Sequence, residues 1–543
     1  MRLGVVLLAL VLLLIVGLPL WALLAKGFED RDGKFVWFAN YAAYFSTPAL
    51  FDSALNSFKV AAVTTLVVVP LSFLYAYALT RAVLPLRWLF QGISLIPIFA
   101  PSLLPGLALI YLFGNQGFFK GLLGGPIYGF DGIVIAQIFY CFPHATLILV
   151  TALSTADARL YEAADALGAS KLRVFFTVTL PGAKYGLISA ALVVFTLVIT
   201  DFGIAKVIGG NFNVLATDVY KQVIGQQNFS MGAVVGMVLL APAALAFVVD
   251  RLVQRKQVAL LTARAVPLVP KPKLGRDLFF TAFCSLVSVG ILAILGMAAW
   301  GSLIKYWPYN LTLTLGNYEF TNFDASGWDS YFNSLRMALG AAIVGTALTF
   351  VGAWLNEKTK GFGLMRGVVQ FLAFLPMAVP GLVLGLGYIF FFNAPNNPLN
   401  FIYATMAILV VNTVAHFYTV GHLTATTALK QIDPEFESVS ASLKVPIWRT
   451  FGRVTAPICL PAILDVAIYM FVNAMTTVSS VIFLYAPDTK LASVAAVNIE
   501  EAGTTAAAAA LCIVIVITSA AVKALHVLAD RFLLGRLQAW RRR

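Results

Sequence analysis

Runs of apolar residues recur along the whole chain, and they constrain its fold more than any other feature. A helix needs roughly 20 apolar residues to cross a bilayer core about 30 Å thick. Only 11% of the residues are charged, against about 25% in soluble domains, so we predict an all-α polytopic membrane protein. The twelve predicted spans are 4–25, 54–80, 88–113, 132–153, 185–207, 231–250, 278–304, 332–355, 366–392, 402–427, 461–485 and 506–528.

The basic residues predict the orientation of these spans. If odd-numbered connections face outside, 27 of the 37 Lys and Arg residues fall in loops and termini on the inside. This bias follows the positive-inside rule and predicts that both termini are cytoplasmic. The net charge of +13 therefore reflects topology and not a nucleic-acid partner. The first run is longer than the apolar core of a secretory signal, so we interpret it as a retained helix.

The second half of the sequence repeats the first. "LNSFKVAAVTTL" at 55–66 matches "FNSLRMALGAAI" at 332–343, which pairs Asn56 with Asn333. Each half holds six runs, an even number, so the two copies have the same orientation, as in transporters built from parallel repeats. The predicted division is a first membrane domain at 1–250, a cytoplasmic linker at 251–276 and a second membrane domain at 277–543.

A polar segment between the fourth and fifth runs is also repeated. "ALSTADARLYEAADALGASKLRVFFTVTLP" (152–181) aligns without gaps to "ALKQIDPEFESVSASLKVPIWRTFGRVTAP" (428–457). Asp157 and Asp433 are suitable helix N-caps, and Pro434 suits the first helical position of the second copy. Each segment is therefore predicted to form a short helix outside the spans.

The two short helices are expected to end differently. Gly168 can end the first in a left-handed conformation, whereas Lys444 replaces glycine in the second copy, where Pro446 is expected to stop the helix. A helix outside the bilayer with small residues on one face suits docking into a groove on another protein. The alternative is a helix that rests on lipid headgroups.

The first segment resembles the signature loop of type I ABC importer permeases. The pattern E-A-A-x-x-x-G, with L-P following thirteen residues after the glycine, is present as Glu162, Ala163, Ala164, Gly168, Leu180 and Pro181. The resemblance implies a fused pair of permease domains, each with a coupling helix that sits in a cleft of an ATPase subunit. The second copy departs from the pattern, with Ser438, Val439 and Ser440 at the E-A-A positions and an acid one place earlier, Glu437, that could still serve. The implied coupling residues are Asp157, Glu162, Ala163, Ala164, Gly168, Pro181, Asp433, Glu437, Ser438, Ser440, Lys444 and Pro457.

The same resemblance implies the partners and the location. They are two copies of a cytoplasmic ABC ATPase and an extracytoplasmic solute-binding protein, in a bacterial inner membrane. No G-x-x-x-x-G-K-[ST] phosphate loop occurs in the sequence, so this chain is expected to bind no cofactor and to leave ATP and Mg²⁺ to the ATPase. We identify no nucleophile, acid pair or metal cluster that would indicate an enzyme.

The substrate is predicted by resemblance alone. Fused permeases of about this length resemble those for 2-aminoethylphosphonate and for ferric iron, and "PMAVPGLVLGLGYIFF" (376–391) looks closer to the phosphonate group. Phosphonate import is therefore predicted, with ferric iron as the alternative. An ion-coupled secondary transporter is the alternative of another class, but it would be expected to carry paired acids inside the membrane.

Prolines and polar side chains within the spans mark a candidate substrate pathway. Prolines break backbone hydrogen bonds that lipid cannot replace, so the third and ninth spans should face protein or a water-filled cavity. Asp201 is an acid within a predicted span, which indicates function. Asp465 is expected to pair with a loop Arg, and the scattered histidines do not have the spacing of metal ligands. The pathway candidates are Pro97, Pro101, Asp201, Pro376, Pro380, Asn473, Thr476 and Thr477.

Overall fold

The structure is a computed structural model. It describes residues 1–122, 124–260, 266, 268–359, 361–433 and 435–530. The first half of the chain forms helices α1 Arg2–Leu12, α2 Leu18–Lys26, α3 Ala39–Ser46, α4 Pro48–Arg81, α5 Arg87–Leu95, α6 Leu103–Phe113, α7 Phe130–Ser154, α8 Ala158–Ala166, α9 Lys171–Val174, α10 Leu180–Thr200, α11 Gly203–Ile208, α12 Leu215–Tyr220 and α13 Phe229–Leu260.

The second half follows a similar order with eleven helices and adds a short hairpin. Its helices are α14 Leu274–Ser302, α15 Asp329–Lys358, α16 Gly363–Phe374, α17 Gly381–Phe392, α18 Met406–Lys430, α19 Glu435–Ser442, α20 Ile447–Thr450, α21 Ala456–Ile458, α22 Leu460–Thr476, α23 Ala492–Glu501 and α24 Thr505–Ala529. The antiparallel strands β1 Ile304–Tyr306 and β2 Asn310–Leu313 form the hairpin.

Shorter turns of 3₁₀ and π geometry interrupt or join these helices. The 3₁₀ turns are Ile96–Phe99, Gly316–Tyr318, Phe320–Asn322, Leu375–Ala378, Asn400–Ile402 and Pro487–Thr489. The π turns are Leu13–Gly17, Phe175–Thr179, Lys221–Gly225 and Phe451–Thr455.

The predicted all-α polytopic fold is confirmed. Within the described residues, nine helices are long and apolar enough to cross a membrane, and the number rises to twelve if each of three sharply bent pairs counts as one span. The first predicted run is a continuous span, Arg2–Lys26, and the fifth extends over Lys171–Thr200. The fifth therefore ends earlier than the predicted 185–207, because the chain unwinds at Asp201.

The chain divides into two compact units that differ from the two sequence halves. Unit 1 comprises Met1–Asn40, Glu319–Ile499 and the chain from Val514 onward, and unit 2 comprises Tyr41–Tyr318 and Glu500–Ile513. The first helix of each half thus belongs to the unit built mainly from the other half. The division of the sequence into repeats at 1–250 and 277–543 remains a prediction, but these bounds do not describe compact bodies.

Each unit is built around three helices, and the three helices of one unit are the counterparts of those in the other. In unit 2, α4, α7 and α10 pack against one another, and in unit 1 their counterparts α15, α18 and α22 do so. The first helix of each half packs against the three-helix core of the unit that it joins. For example, Cys284 and Ile291 of α14 pack into a cluster with Tyr75, Leu79 and Phe142. Because α14 is apolar on all sides, its remaining surface suits contact with lipid.

Candidate functional site

The first polar segment forms a capped helix, α8, outside the spans. The Asp157 carboxylate accepts hydrogen bonds from the Arg159 backbone N–H at 3.1 Å and from Arg159 Nε at 3.2 Å. The backbone hydrogen bond is the main reason that the pKa of Asp157 lies below its usual value. The linker reaches the same cap, because Val266 N donates to Asp157 Oδ1 at 3.3 Å and Ala158 N donates to Val266 O at 2.8 Å. Asp157 is therefore the N-cap, as predicted.

The end of α8 also follows the prediction. Gly168 has a φ of +69°, and Gly168 N donates to Asp165 O at 3.0 Å while Ala169 N donates to Ala164 O at 3.0 Å. These two bonds satisfy carbonyls at the end of the helix in the Schellman arrangement. Within the described chain, no heavy atom lies within 4 Å of the position that a Cβ on Gly168 would occupy. The space beside this turn is therefore open.

The second helix, α19, ends by the same hydrogen bonds although it lacks the glycine. Lys444 has a φ of +54°, and Lys444 N donates to Ala441 O and Val445 N to Ser440 O, each at 3.0 Å. Pro446, expected to help stop this helix, lies two residues after the left-handed Lys444 and is the N-cap of α20. The left-handed conformation costs a non-glycine residue roughly 1–2 kcal/mol. The turn at the end of α19 forms in spite of this cost.

We expect Lys444→Gly to stabilise the end of α19 by about 1 kcal/mol, because glycine adopts a positive φ without a steric cost. Hydrogen–deuterium exchange of the α19 amides would then slow about fivefold, since protection reports local opening. Ala441→Gly in the same helix is the matched control and should speed exchange, because glycine weakens a helix interior. Equal exchange in Lys444→Gly and the unmodified protein would contradict this prediction.

The start of α19 agrees with the prediction for Asp433. The Asp433 Oδ1 accepts a hydrogen bond from Glu435 N at 2.9 Å, which is the interaction of an N-cap. Pro434, expected at the first helical position, lies outside the described residues. The two helices are therefore capped by an aspartate at one end and by a left-handed turn at the other.

Both helices present exposed side chains away from the spans. Leu167 at the end of α8 is 86% exposed and Leu443 at the end of α19 is 70% exposed. Exposed apolar side chains at these positions are available for contact with a partner protein or with lipid headgroups. Among the predicted coupling residues, Glu162, Ala163 and Ser438 are exposed, whereas Ala164 and Ser440 are half-buried, and the Ser440 hydroxyl bonds to that of Thr450.

The two predicted prolines of the loops, Pro181 and Pro457, have matching positions. Each follows a π-helical turn, Phe175–Thr179 or Phe451–Thr455, and lies at the start of the next helix. A proline is favourable at the start of a helix because its missing N–H would have no partner there. The sequence alignment paired these segments, but it did not predict the wider turn.

Each short helix contacts a basic residue at the end of a spanning helix. Our sequence analysis did not identify these two basic residues. Arg81, the last residue of α4, is buried and donates from Nη2 to Leu153 O at 2.8 Å and to the Tyr161 hydroxyl at 3.4 Å. Its guanidinium lies 5.4 Å from the centroid of the Tyr161 ring. Lys358, the last residue of α15, pairs with Glu437 of α19 at 2.6 Å. Tyr161 and Glu437 are aligned positions of the two loops.

Glu162 and Glu437 have different surroundings, and a shared coupling role remains a prediction. Glu162 is exposed, whereas the Glu437 carboxylate is held by Lys358 of its own unit. The sequence could have identified these two basic residues. Arg81 and Lys358 are 277 positions apart, which is the same offset that relates Asn56 to Asn333. Continuing that alignment to the end of the helix would have paired them.

The far end of α4 holds a segment that follows the fifth span. Asn56 Nδ2 donates to Asn213 O at 3.1 Å, and Leu215 N donates to the Ser57 hydroxyl at 2.8 Å. Ser57 is buried, so this contact is shielded from competition with water. One helix thus contacts the α8 region at one end and the segment at 213–215 at the other.

The counterpart helix α15 makes the same contacts. Asn333 Nδ2 donates to Asp488 O at 2.8 Å and to Lys490 O at 3.2 Å, and Ala492 N donates to the Ser334 hydroxyl at 2.8 Å. The sequence match between Asn56 and Asn333 therefore reflects one structural role. Both α4 and α15 join a predicted coupling helix to a segment at the opposite end of the bundle.

The third and ninth spans are broken at the predicted prolines. The axis turns by 102° between Arg87–Phe99 and Leu103–Phe113, and by 117° between Gly363–Ala378 and Gly381–Phe392. The prolines are buried in protein, as expected for segments whose backbone lipid could not satisfy. These residues are Pro97, Pro101, Pro376 and Pro380. Their contact with a substrate remains a prediction.

The broken spans pack directly against unwound chain after the fifth and eleventh spans. A Cβ on Gly203 would lie 3.3 Å from Leu103 N, and a Cβ on Gly381 would lie 3.1 Å from Ser480 N. Such distances are too short for most side chains, so glycine permits the close approach. In each unit, two interrupted helices therefore meet, which is the arrangement that forms solute sites in many transporters.

Asp201 lies at this meeting point in unit 2, immediately after α10. Its Oδ2 accepts hydrogen bonds from Ile204 N at 2.9 Å and from Gln137 Nε2 at 3.1 Å, and Ser102 also bonds to its side chain. The carboxylate thus caps α11 and ties it to α7 and to the break before α6. This is a structural role, whereas contact of Asp201 with a substrate remains a prediction.

We expect Asp201→Ala to destabilise the protein by roughly 1–3 kcal/mol, because it leaves buried donors without a partner. Asp201→Asn retains an acceptor oxygen and should lower both the stability and the uptake rate less than Asp201→Ala. Thermal unfolding in detergent and solute uptake would be measured for both variants. If Asp201→Asn abolished uptake at unchanged stability, the charge would have to act on the solute.

The polar pathway candidates of the second half form hydrogen bonds with groups three or four residues away in the sequence. The Thr477 hydroxyl bonds to that of Ser480 at 3.0 Å, Asn473 Nδ2 donates to Tyr469 O at 2.8 Å, and the Thr476 hydroxyl donates to Val472 O at 3.0 Å. Local bonds of this kind bend or cap a helix. Contact of these three side chains with a substrate remains a prediction.

Asp465 differs from its prediction. Among the described residues, its ion-pair partner is His526 Nε2 at 3.6 Å and not a loop Arg. Over the part of the chain that the structure describes, no three His, Cys, Asp or Glu side chains form a group that could hold a metal ion.

A protein-family comparison covers the region that contains α8. The family described as the inner membrane component of binding-protein-dependent transport systems matches residues 68–258. The molybdenum transport system permease protein ModB of Escherichia coli K12 is 30% identical over 161 residues, 28% of this chain and 69% of ModB. The chain belongs to this permease family. It is therefore a multi-pass membrane protein of the type I ABC importer permease class, a family of transporter subunits.

Two longer matches cover most of the permease. A Haemophilus influenzae chain named for ferric transport, FbpB 1, is 29% identical over 435 residues, 77% of this chain and 68% of the relative. The ferric transport system permease protein FbpB of Actinobacillus pleuropneumoniae is 29% identical over 447 residues, 79% of this chain and 64% of the relative. The chain thus spans about two thirds of the length of these two relatives.

Proposed function

We propose that this permease imports its solute by ATP-driven alternating access in a bacterial inner membrane. The observation that carries this proposal is the matched pair α8 and α19, which lie outside the spans, share one capping geometry and expose apolar side chains. An ion-coupled secondary transporter would have no need for a duplicated docking helix. Both termini are cytoplasmic in this proposal, on the same side as α8 and α19.

Each of the two helices docks one copy of a cytoplasmic ATPase, which uses ATP and Mg²⁺. The proposal rests on the two equivalent surfaces and on the lack of a phosphate loop in the sequence. An extracytoplasmic solute-binding protein delivers the solute to the opposite face, in accord with the description of the family. The exposed apolar residues Leu167 and Leu443 would be covered in such a complex.

The helices α4 and α15 carry movement from the ATPases to the far side of the membrane. From Asn56 to Arg81, and from Asn333 to Lys358, the chain advances 25 residues, about 37 Å along a helix. Each helix is attached at one end to a coupling helix and at the other to a segment after the fifth span of its half. A displacement of α8 or α19 therefore moves that segment, because packed helices shift as rigid bodies.

Ferric iron is the substrate that we propose, in place of the phosphonate predicted from sequence. Two relatives that align over more than three quarters of this chain are named for ferric transport. The matches do not support phosphonate specificity, and our sequence prediction rested on the style of one apolar stretch. Iron is cargo in this proposal and not a resident cofactor of the chain.

Transport in proteoliposomes tests both parts of the proposal. Vesicles would hold the permease, its ATPase and internal ATP, with the binding protein outside carrying either radiolabelled Fe³⁺ or 2-aminoethylphosphonate. We expect Fe³⁺ uptake that requires ATP and stops when the phosphate-loop lysine of the ATPase is replaced. Uptake driven by an ion gradient without ATP would refute an ATP-driven importer, whereas ATP-driven uptake of the phosphonate alone would refute only the substrate.

A further inference from the structure

A cavity of about 300 Å³ lies in unit 1, between α19, the end of α15 and the π turn Phe451–Thr455. Apolar side chains form much of its wall, and the ion pair of Lys358 and Glu437 forms its charged part. An apolar cavity of about 150 Å³ is enough to bind benzene in another protein. This cavity therefore has room for one substituted aromatic ring. The lining residues that matter to the argument are Trp354, Lys358, Glu437, Ala441, Phe451 and Thr455.

In unit 2, a phenol ring of the chain itself lies beside α8. It belongs to Tyr161, the position aligned with Glu437. The Tyr161 hydroxyl donates to Thr179 Oγ1 at 3.1 Å, and the Arg81 guanidinium lies 5.4 Å from the centroid of the ring. A hydroxyl group and a cation thus hold this phenol.

The counterparts of both contacts line the cavity of unit 1. Lys358 corresponds to Arg81 at an offset of 277, and Thr455 corresponds to Thr179 at an offset of 276. Both Lys358 and Thr455 are wall residues of the cavity, whereas the aligned position of α19 carries a glutamate and no ring. Unit 1 therefore keeps the groups that hold a phenol in unit 2 but lacks the phenol.

An aromatic pair is also common to the two sites. Tyr77 and Phe175 have ring centroids 6.1 Å apart in unit 2. Their counterparts Trp354 and Phe451 have centroids 4.5 Å apart and both line the cavity. Aromatic rings pack favourably against one another in tilted or offset arrangements, so this wall suits a further ring.

The charged part of the wall favours a neutral ligand. Lys358 already pairs with Glu437, so a charged ligand would have to compete with one member of this pair. A phenol leaves the pair intact, because its ring can pack beside the ammonium group. Its hydroxyl can both donate and accept a hydrogen bond, which matches the hydroxyl of Thr455.

We propose that this cavity binds one small neutral phenol, with its ring against Phe451 and Lys358 and its hydroxyl bonded to Thr455. The ligand takes the place in unit 1 that the side chain of Tyr161 takes in unit 2. It contacts α19, the end of α15 and the π turn together, so its binding holds α19 against the end of its spanning helix.

Binding of p-cresol, the side-chain analogue of tyrosine, to the full-length chain in lipid nanodiscs tests the site. Empty nanodiscs measure the partition of p-cresol into lipid, and p-xylene, which has a methyl group in place of the hydroxyl, is the apolar control. We expect saturable binding of p-cresol above the lipid background and weaker binding of p-xylene. Hydrogen–deuterium exchange of the α19 amides should slow when p-cresol is bound, because exchange reports local opening.

Four variants locate the ligand. Glu437→Tyr supplies the missing ring from the chain and should lower the affinity for p-cresol at least tenfold. Thr455→Val removes the hydroxyl and should lower it roughly fivefold, the effect of one neutral hydrogen bond. Glu435→Tyr adds the same ring at an exposed position of α19 and should bind p-cresol as the unmodified chain does. If Glu437→Tyr fails to fold, Ala441→Phe blocks the cavity from another wall position and should cause the same loss.

Three results would overturn the proposal. The first is no saturable binding in nanodiscs, even if binding is seen in detergent, which would show that lipid fills the cavity. The second is unchanged affinity for p-cresol in Glu437→Tyr and in Ala441→Phe. The third is equal affinity for p-xylene and p-cresol, which would show that the hydroxyl is not recognised. The assay contains neither ATPase nor binding protein, so its outcome is independent of the proposed import function.

Discussion

Gly168→Trp abolishes ATP-driven uptake while the permease still inserts and folds. The reason is that, within the described residues, nothing occupies the space beside Gly168, so we expect an indole there to meet a docked partner. Loss of a central contact in a protein interface costs roughly 2–4 kcal/mol, which corresponds to about a 30- to 1000-fold weaker complex. Uptake in proteoliposomes and co-purification of the ATPase would both be measured.

The strain of the left-handed turn has to be separated from the loss of docking space. Gly168→Lys provides this control, because Lys444 adopts the same turn at the equivalent position of α19. We expect Gly168→Lys to retain more ATPase binding than Gly168→Trp, although both carry the cost of a non-glycine residue at positive φ. Normal uptake and normal ATPase binding in Gly168→Trp would exclude α8 as a docking helix.

Lys358→Glu uncouples ATP hydrolysis from transport, because it detaches α19 from α15. The substitution places a second carboxylate beside Glu437, which Lys358 now contacts at 2.6 Å. An exposed ion pair contributes only about 0.2–1 kcal/mol, but Lys358 is mostly buried, and like charges at such a site repel. We expect the solute transported per ATP to fall at least tenfold while ATP hydrolysis continues.

A charge swap distinguishes coupling from damage to the fold. Lys358→Glu combined with Glu437→Lys restores the ion pair in reverse and should recover transport. Lys430→Glu makes the same charge change at an exposed site at the end of α18 and should leave transport per ATP unchanged. If the double variant transported no better than Lys358→Glu alone, the anchor would not act through this pair.

Unit 2 uses different chemistry for the attachment of α8. Arg81 bonds to a backbone carbonyl and contacts the Tyr161 ring, and the Tyr161 hydroxyl donates to Thr179 Oγ1 at 3.1 Å. No carboxylate takes part in these contacts, so salt should weaken the attachment of α8 less than that of α19. The two ATPase docking sites would then differ in their response to ionic strength.

Much of the candidate site could be predicted because its causes are local. Asp157 caps α8 and Gly168 ends it, and both features depend on residues within one turn of helix. The breaks near Pro97 and Pro376 were also predictable, because proline removes a backbone donor wherever it occurs. The turn at Lys444 was not predicted, since its hydrogen bonds outweigh a local preference against positive φ.

The sequence by itself determined the spans, their duplication and the places where helices begin, end or break. These properties follow from apolar length, charge bias and backbone chemistry, which act between residues close in the chain. Only the tertiary structure decided that the first helix of each half joins the other unit and that Arg81 and Lys358 hold α8 and α19. Those outcomes depend on contacts between residues far apart in sequence, whose geometry is set by the packing of whole helices.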